Sequence, residues 1–148
     1  MNKVVAVVTS IEDLEIVTYL TLRAGETSIK VIQPQKPNWL NVHDKVYFKF
    51  QEFSVCIGKS CDGKVSIENR IPAVLTSIRA KSSLSVSKFD TDIGEIVSLM
   101  PQSAFEELEI VQGDEVMILV SEMDIELEPY IDPMLLAKVM EPRTKIAC

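Results

Sequence analysis

The sequence predicts an all-β protein built from two small OB-like β-barrels in tandem, each with a short crossover helix or turn, followed by a C-terminal helix. Three observations predict this fold class: an internal repeat, strand-length runs rich in β-branched residues, and a short helical signature inside one repeat. The chain has 148 residues, of which 47% are hydrophobic and 25% charged. That length suits one medium domain or two very small ones, and the composition is that of a folded protein.

The internal repeat carries most of this prediction. Residues 2–11 and 69–78 share Asn, Ala, Val, Thr, Ser and Ile at matching places, at an offset of 67 residues. Residues 44–57 match residues 114–127 at an offset of 70, so three extra residues in the second copy absorb the difference. Two matches in the same order indicate a duplication. The predicted organisation is a first barrel at 1–58, a linker at 59–65, a second barrel at 66–128 and a helical tail at 129–148.

Each repeat contains five predicted strands. After the opening strand, a hairpin is expected in both copies, and Gly94 inside one of its strands predicts a β-bulge. A closing hairpin, ending near Ile57 in the first copy and Leu127 in the second, completes each barrel. The predicted middle hairpins pair residues 15–23 with 27–33 in the first copy and 84–89 with 93–99 in the second.

The crossover between the hairpins differs in the two copies. In the second copy, Ser103 and Glu106 have the spacing of a capping box, and Phe105 and Leu108 would face the core of a short helix. In the first copy two prolines crowd the same place, which predicts an irregular turn. Trp39 is expected to close the bottom of the first barrel there by packing.

The C-terminal tail lies outside the repeat. Asp132 is a favourable N-cap, Pro133 suits the first helical position, and Pro142 would end the helix that starts at Met134. Its apolar side is expected to cover the protein's own barrel, with docking onto a partner as the alternative.

Composition excludes several classes of partner. The net charge of −7, without a cluster of Lys and Arg, argues against nucleic-acid binding by this chain alone. No run approaches the 20 or so apolar residues of a membrane helix. The opening apolar run 4–8 ends at Thr9 and is followed by acidic residues, so it predicts a strand rather than a signal peptide and a cytoplasmic protein.

No catalytic or metal-binding pattern emerges from the sequence. Its one histidine, His43, lies in a predicted turn, and no glycine-rich phosphate loop is present. Cys56, Cys61 and Cys148 lack metal-finger spacing, which predicts reduced thiols. The acidic run from Glu122 to Glu128 alternates with apolar residues and is interpreted as the wet face of an edge strand. An enzyme is therefore not expected.

The strand that opens with Asn, the segment LEIVQGDEV at 108–116 and the closing hairpin resemble the Mop, or TOBE, molybdate-binding domains. Two such domains in one chain are similar to the di-Mop molbindins and to the paired ligand domains of molybdate-responsive regulators. The resemblance implies binding of molybdate or tungstate at the subunit interfaces of a homo-oligomer, for storage, buffering or sensing. A tetrahedral dianion requires converging N–H groups, hydroxyls and a cation.

The resemblance also implies where such a ligand would bind. The family's Ser-Ala-Arg-Asn run corresponds to Ser66-Ile67-Glu68-Asn69, which has Glu68 in place of the arginine, and Ser121 replaces the lysine that ends the fourth strand. Arg70 projects to the same side of its strand as Glu68 and is expected to offset that carboxylate. Because both family cations are lost and an acid is gained, a ligand-free regulatory or scaffolding module is the alternative. The implied ligand set is Ser66, Ile67, Asn69, Arg70, Ser98, Ser103 and Ser121 in the second copy, with Asn2 and Lys3 in the first.

Overall fold

The computed structural model describes residues 1–59 and 64–137, and its strands form two five-stranded antiparallel sheets. The prediction of an all-β, OB-like fold is confirmed. The described chain also contains a short helix, α1 (Gln102–Leu108), two 3₁₀ turns, η1 (Glu52–Ser54) and η2 (Glu122–Asp124), and a helical turn at residues 133–137. The strands are β1 (Asn2–Asp13), β2 (Thr18–Ala24), β3 (Thr27–Gln33), β4 (Lys45–Phe50), β5 (Cys56–Gly58), β6 (Asn69–Lys81), β7 (Leu84–Thr91), β8 (Gly94–Pro101), β9 (Glu115–Val120) and β10 (Glu126–Pro129).

The two repeats exchange their last strands. One sheet has the order β10-β4-β1-β2-β3 and the other β5-β9-β6-β7-β8, so each sheet takes four strands from one repeat and the fifth from the other. Cys56 lies opposite Leu119 of the second repeat, and Glu126 lies opposite Lys49 of the first. The expected closing hairpins, β4 with β5 and β9 with β10, were therefore wrong. The ranges 1–58 and 66–128 describe the repeats in sequence, whereas each sheet combines both.

Alternating side chains of the strands build the core. Phe48, Leu20 and Val31 are fully buried in the first sheet, and Ile118, Leu75 and Phe89 are fully buried in the second. The side chains between them point outward, as the two-residue period of a strand requires. Both sheets bury one face and expose the other, which explains why the repeat reads as alternating apolar and polar residues.

The two crossovers agree in part with what the sequence predicts. In α1, Phe105 is buried and Leu108 packs against the core, as predicted. The capping box was wrong, because the N-cap is Pro101 and Ser103 lies inside the helix on its exposed side. The first copy has an irregular turn, but Trp39 is 38% exposed and the fully buried Leu40 fills the core instead.

Two details of the hairpins also differ from the prediction. Gly94 begins β8 with a φ of 111°, a value that favours glycine, and causes no bulge there. The register shifts lie instead in the long opening strands, between Val8 and Ser10 and between Leu75 and Ser77. The bulges occupy equivalent positions in the two repeats, so the duplication preserves the bend of the opening strand.

The tail begins as expected. The carboxylate of Asp132 accepts the backbone N–H of Met134 at 2.9 Å, which is the predicted N-cap of a helical turn over residues 133–137. Met134, Leu135 and Leu136 are exposed, so the expectation that the tail helix covers its own barrel was wrong for this part. The predicted continuation to Pro142, and most of the linker, lie outside the described residues.

Candidate functional site

The two repeats meet at a pair of equivalent junctions formed by the asparagines that open β1 and β6. Asn69 is fully buried, and its side-chain amide donates to the carbonyl of Lys30 at 2.8 Å and accepts the Lys30 N–H at 2.7 Å. Asn2 makes the same two bonds to Val97, both at 2.9 Å. Lys30 and Val97 lie on the edge strands β3 and β8. Each asparagine side chain therefore makes the two backbone hydrogen bonds that a neighbouring strand would make, at a sheet edge that is otherwise unpaired.

An acidic side chain occupies each junction beside the asparagine. The Glu122 carboxylate, in a residue only 9% exposed, accepts the backbone N–H of Glu68, the residue before Asn69. Glu52, the equivalent of Glu122 at the offset of 70, accepts from the N-terminal ammonium of Met1. That hydrogen bond holds the pKa of the Glu52 carboxyl below its usual range. Both junctions therefore bind a carboxylate oxygen of the chain itself.

The second junction contains further ionisable groups. The Tyr19 hydroxyl donates to the Glu68 carboxylate, at 3.0 and 3.2 Å from its two oxygens. Burial raises the pKa of Tyr19, and the Glu68 hydrogen bond and the charges of neighbouring carboxylates raise this pKa further. The Lys30 ammonium lies 3.1 Å from the Thr21 hydroxyl and 5.8 Å from the centre of the Tyr19 ring. This junction thus combines two carboxylates with one phenol and one ammonium group.

Arg70 does not offset Glu68, contrary to expectation. Its guanidinium donates to the backbone carbonyls of Ile67, at 3.1 Å, and Val65, at 2.8 Å, and so braces the segment that leads into β6. Ser66 in this segment is exposed. Ser121 is the N-cap of η2 and accepts the backbone N–H two residues later, which leaves it next to Glu122.

The remaining predicted ligand residues lie elsewhere. Ser98 is buried in β8 and donates to the Val55 carbonyl at 3.2 Å, which places it beside the first junction and apart from Ser66. Ser103 is exposed on α1, and Lys3 forms an ion pair with Glu128. The structure therefore distributes the predicted set over both junctions and the outer surface, and their role in binding stays a prediction.

Sequence reasoning missed four residues of the junctions: Tyr19, Lys30, Glu52 and Glu122. The equivalence of Glu52 and Glu122 is visible in the repeat itself, and Glu122 was wrongly assigned to a wet strand face. Tyr19 and Lys30 carry no such signal, because they reach the second junction only through contacts between the two repeats.

The part of the chain that the structure describes shows neither a metal-binding group nor a membrane-spanning helix. His43 is exposed in a turn with a φ of 77°, and no group of three His, Cys, Asp or Glu side chains among residues 1–59 and 64–137 is placed to hold a metal ion. Cys56 is exposed and forms no disulfide among the described residues, whereas Cys61 and Cys148 lie outside them. No helix within these ranges is long and apolar enough to cross a membrane.

The fold and its junctions define a class of duplicated OB-like proteins whose two repeats exchange their last strands. No protein-family profile matches the chain, and no curated protein sequence matches it. A crystal structure of the cytoplasmic molybdate-binding protein ModG, with molybdate bound, is similar with a TM-score of 0.82 over 87% of this chain and 96% of that chain. The sequences are 13% identical, so the similarity establishes the OB-like fold.

Proposed function

We propose that this chain is a cytoplasmic binding protein for a tetrahedral oxyanion of the molybdate class, molybdate or tungstate, and that it acts as a homo-oligomer without catalysis. One observation carries the proposal: the fold matches a molybdate-binding protein over nearly the full length of both chains. The sequence resemblance to Mop domains, in the Asn that opens each repeat and in residues 108–116, supports it independently.

The second junction offers donors suited to an oxyanion. The Glu68 N–H already binds a carboxylate oxygen, and an oxyanion uses the same kind of donor. Ser66 contributes an exposed hydroxyl nearby, and the Lys30 ammonium lies on the adjoining strand. Entry of a dianion requires Glu122 to leave the N–H and the exposed Glu68 carboxylate to leave Tyr19 and move away from the site. Two like unit charges about 4 Å apart repel by roughly 4 kcal/mol at an effective dielectric constant near 20, and a dianion is repelled about twice as strongly, so binding at this junction should be weak.

Isothermal titration calorimetry with molybdate, tungstate and sulfate tests the proposal. Glu68→Arg should strengthen molybdate binding at least about tenfold, since it replaces a repelling charge with an attracting one. Ser66→Ala should weaken binding, whereas Ser83→Ala, a control in the exposed turn between β6 and β7, should not. The absence of heat from the wild type, Glu68→Arg and Glu122→Ala, at high protein concentration with molybdate and tungstate, would refute oxyanion binding.

The junction carboxylates favour a second candidate, a ligand-free regulatory or scaffolding module. Glu122 already occupies the N–H donor that precedes Asn69, which supports a junction that works without a ligand. In that case no anion stabilises the protein, and Glu122→Ala lowers its melting temperature without creating an anion-binding site.

A further inference from the structure

The outer face of the first sheet carries a pair of cations around an apolar centre. Val7 on β1, which is 39% exposed, lies directly opposite Arg23 on β2 and Lys45 on β4. Residues opposite each other on neighbouring strands point to the same side of a sheet, so the three side chains form one patch. Arg23 forms an exposed ion pair with Glu26 at 3.2 Å, and the Lys45 ammonium lies 4.3 Å from the centre of the Tyr130 ring. We define Val7, Arg23 and Lys45 as the basic face.

The second sheet presents the same surface with the opposite charge. Val74, equivalent to Val7 and 37% exposed, lies directly opposite Asp90 on β7 and Glu115 on β9. Glu95, on β8, lies opposite Asp90 and adds a third carboxylate to this side of the sheet. None of these carboxylates forms an ion pair with another residue of the described chain. We define Val74, Asp90 and Glu115 as the acidic face.

A cleft borders the acidic face. It measures about 520 Å³, and its lining includes the apolar side chains Val74 and Met117 together with Lys59. Lys59 is engaged elsewhere, because its ammonium donates to the Glu109 carbonyl at 3.0 Å. In the first repeat Tyr47 corresponds to Met117, and the centres of the Tyr47 and Tyr130 rings are 5.1 Å apart. Residue 60, which corresponds to Tyr130 at the offset of 70, lies outside the described residues.

We propose that the acidic face of one chain binds the basic face of a second copy, head to tail. The two faces have opposite charge and share an exposed apolar centre, Val7 in one and Val74 in the other. Apolar contact supplies most of the affinity, while the exposed charges set which faces meet and how fast they associate. Because each chain offers one face of each kind, the contact can close a ring of two or more copies. The inference rests on the homo-oligomer of the proposed function and names the faces through which its copies meet; it does not depend on oxyanion binding.

Complementary charge reversal tests the contact with the full chain. Arg23→Glu with Lys45→Glu makes both faces acidic, and Asp90→Lys with Glu115→Lys makes both faces basic. Each variant alone should associate roughly 100-fold more weakly than the wild type, because like charges are brought together. An equimolar mixture of the two should recover association as a 1:1 complex, because each face again meets its opposite. Light scattering and sedimentation equilibrium give the masses.

The same mass measurements on a control variant show whether the effect is specific to the two faces. Arg79→Glu with Lys81→Glu changes the net charge equally on the exposed end of β6 and should leave association unchanged. Thermal melting monitors folding, and Arg23→Gln with Lys45→Gln, which should also weaken association, replaces any reversal variant that unfolds. Reversal variants that associate as the wild type does, or a mixture that stays monomeric, would overturn this contact alone. A monomeric wild type at high concentration would overturn both the contact and the homo-oligomer of the proposed function.

Discussion

The clearest test of how the repeats are held together is the substitution Asn69→Ala. It removes two hydrogen bonds, at 2.7 and 2.8 Å, from the backbone of Lys30. Asn69 is fully buried and Lys30 is half-buried, so water replaces these bonds only in part. A hydrogen bond contributes about 1 kcal/mol net, and each buried group left without a partner costs about 1–3 kcal/mol. The expected loss is therefore about 2–4 kcal/mol, a large part of the roughly 5–15 kcal/mol typical of a domain.

Urea denaturation followed by circular dichroism measures this loss. For a chain of this size the same loss corresponds to a fall in melting temperature of about 4–16 °C. Asn2→Ala removes the equivalent bonds to Val97 and should also destabilise the protein. Asn38→Ala, an exposed asparagine without a side-chain hydrogen bond within the described chain, should change stability by less than about 0.5 kcal/mol. A loss below about 1 kcal/mol for Asn69→Ala would refute the view that the buried amide holds the edge of β3.

Three further predictions follow from the exchange of strands and from the ionisable groups. Residues 1–59 alone should not form a folded monomer, because their sheet lacks β10. Light scattering of this fragment, with and without the remainder of the chain, distinguishes a monomer from a strand-exchanged dimer or a reassembled complex. Hydrogen bonds to Lys3 first and to Lys49 second lower the pKa of the Glu128 carboxyl. The ionised Glu128 therefore stabilises the fold fully above the ordinary pKa of a glutamate, about 4.3, and this stabilisation is lost as the pH falls through the lowered pKa. The difference in melting temperature between the wild type and Glu128→Gln should accordingly shrink in acid, and a difference independent of pH would contradict the assignment. Glu68→Gln should let Tyr19 ionise at a lower pH, because a carboxylate that raises the pKa of Tyr19 is neutralised; titration of phenolate absorbance measures the change, and an unaltered titration would contradict the hydrogen bond.

The sequence alone determined the duplication, the strand-rich character of each repeat and the short helix of the second. These features are local or periodic: the alternation of buried and exposed residues in β2 and β4 reflects the pleat of a strand, and Phe105 and Leu108 mark one side of a helix. Trp39 was misjudged, because size and apolarity do not reveal which of two neighbouring residues, here Trp39 and Leu40, points inward in an irregular turn.

The candidate site was predicted only in part. Asn2 and Asn69 stand out in the repeat, but their partners Val97 and Lys30 belong in each case to the other copy. Pairings across about 39 or 95 residues leave no periodic trace, so the amide bridges, and with them the junctions, depend on the tertiary structure. The same holds for the contact between Tyr19 and Glu68.

Only the tertiary structure decided which sheet receives the last strand of each repeat. The strand β5 can pair with β4 or with its equivalent β9, and the two ladders have similar sequences, so local preference hardly separates them. The outcome depends on η1 and η2, which carry the chain from one sheet to the other and pack against the edges of β8 and β3. A duplicated sequence specifies its strands twice, whereas their exchange is fixed by the path of two short connections in space.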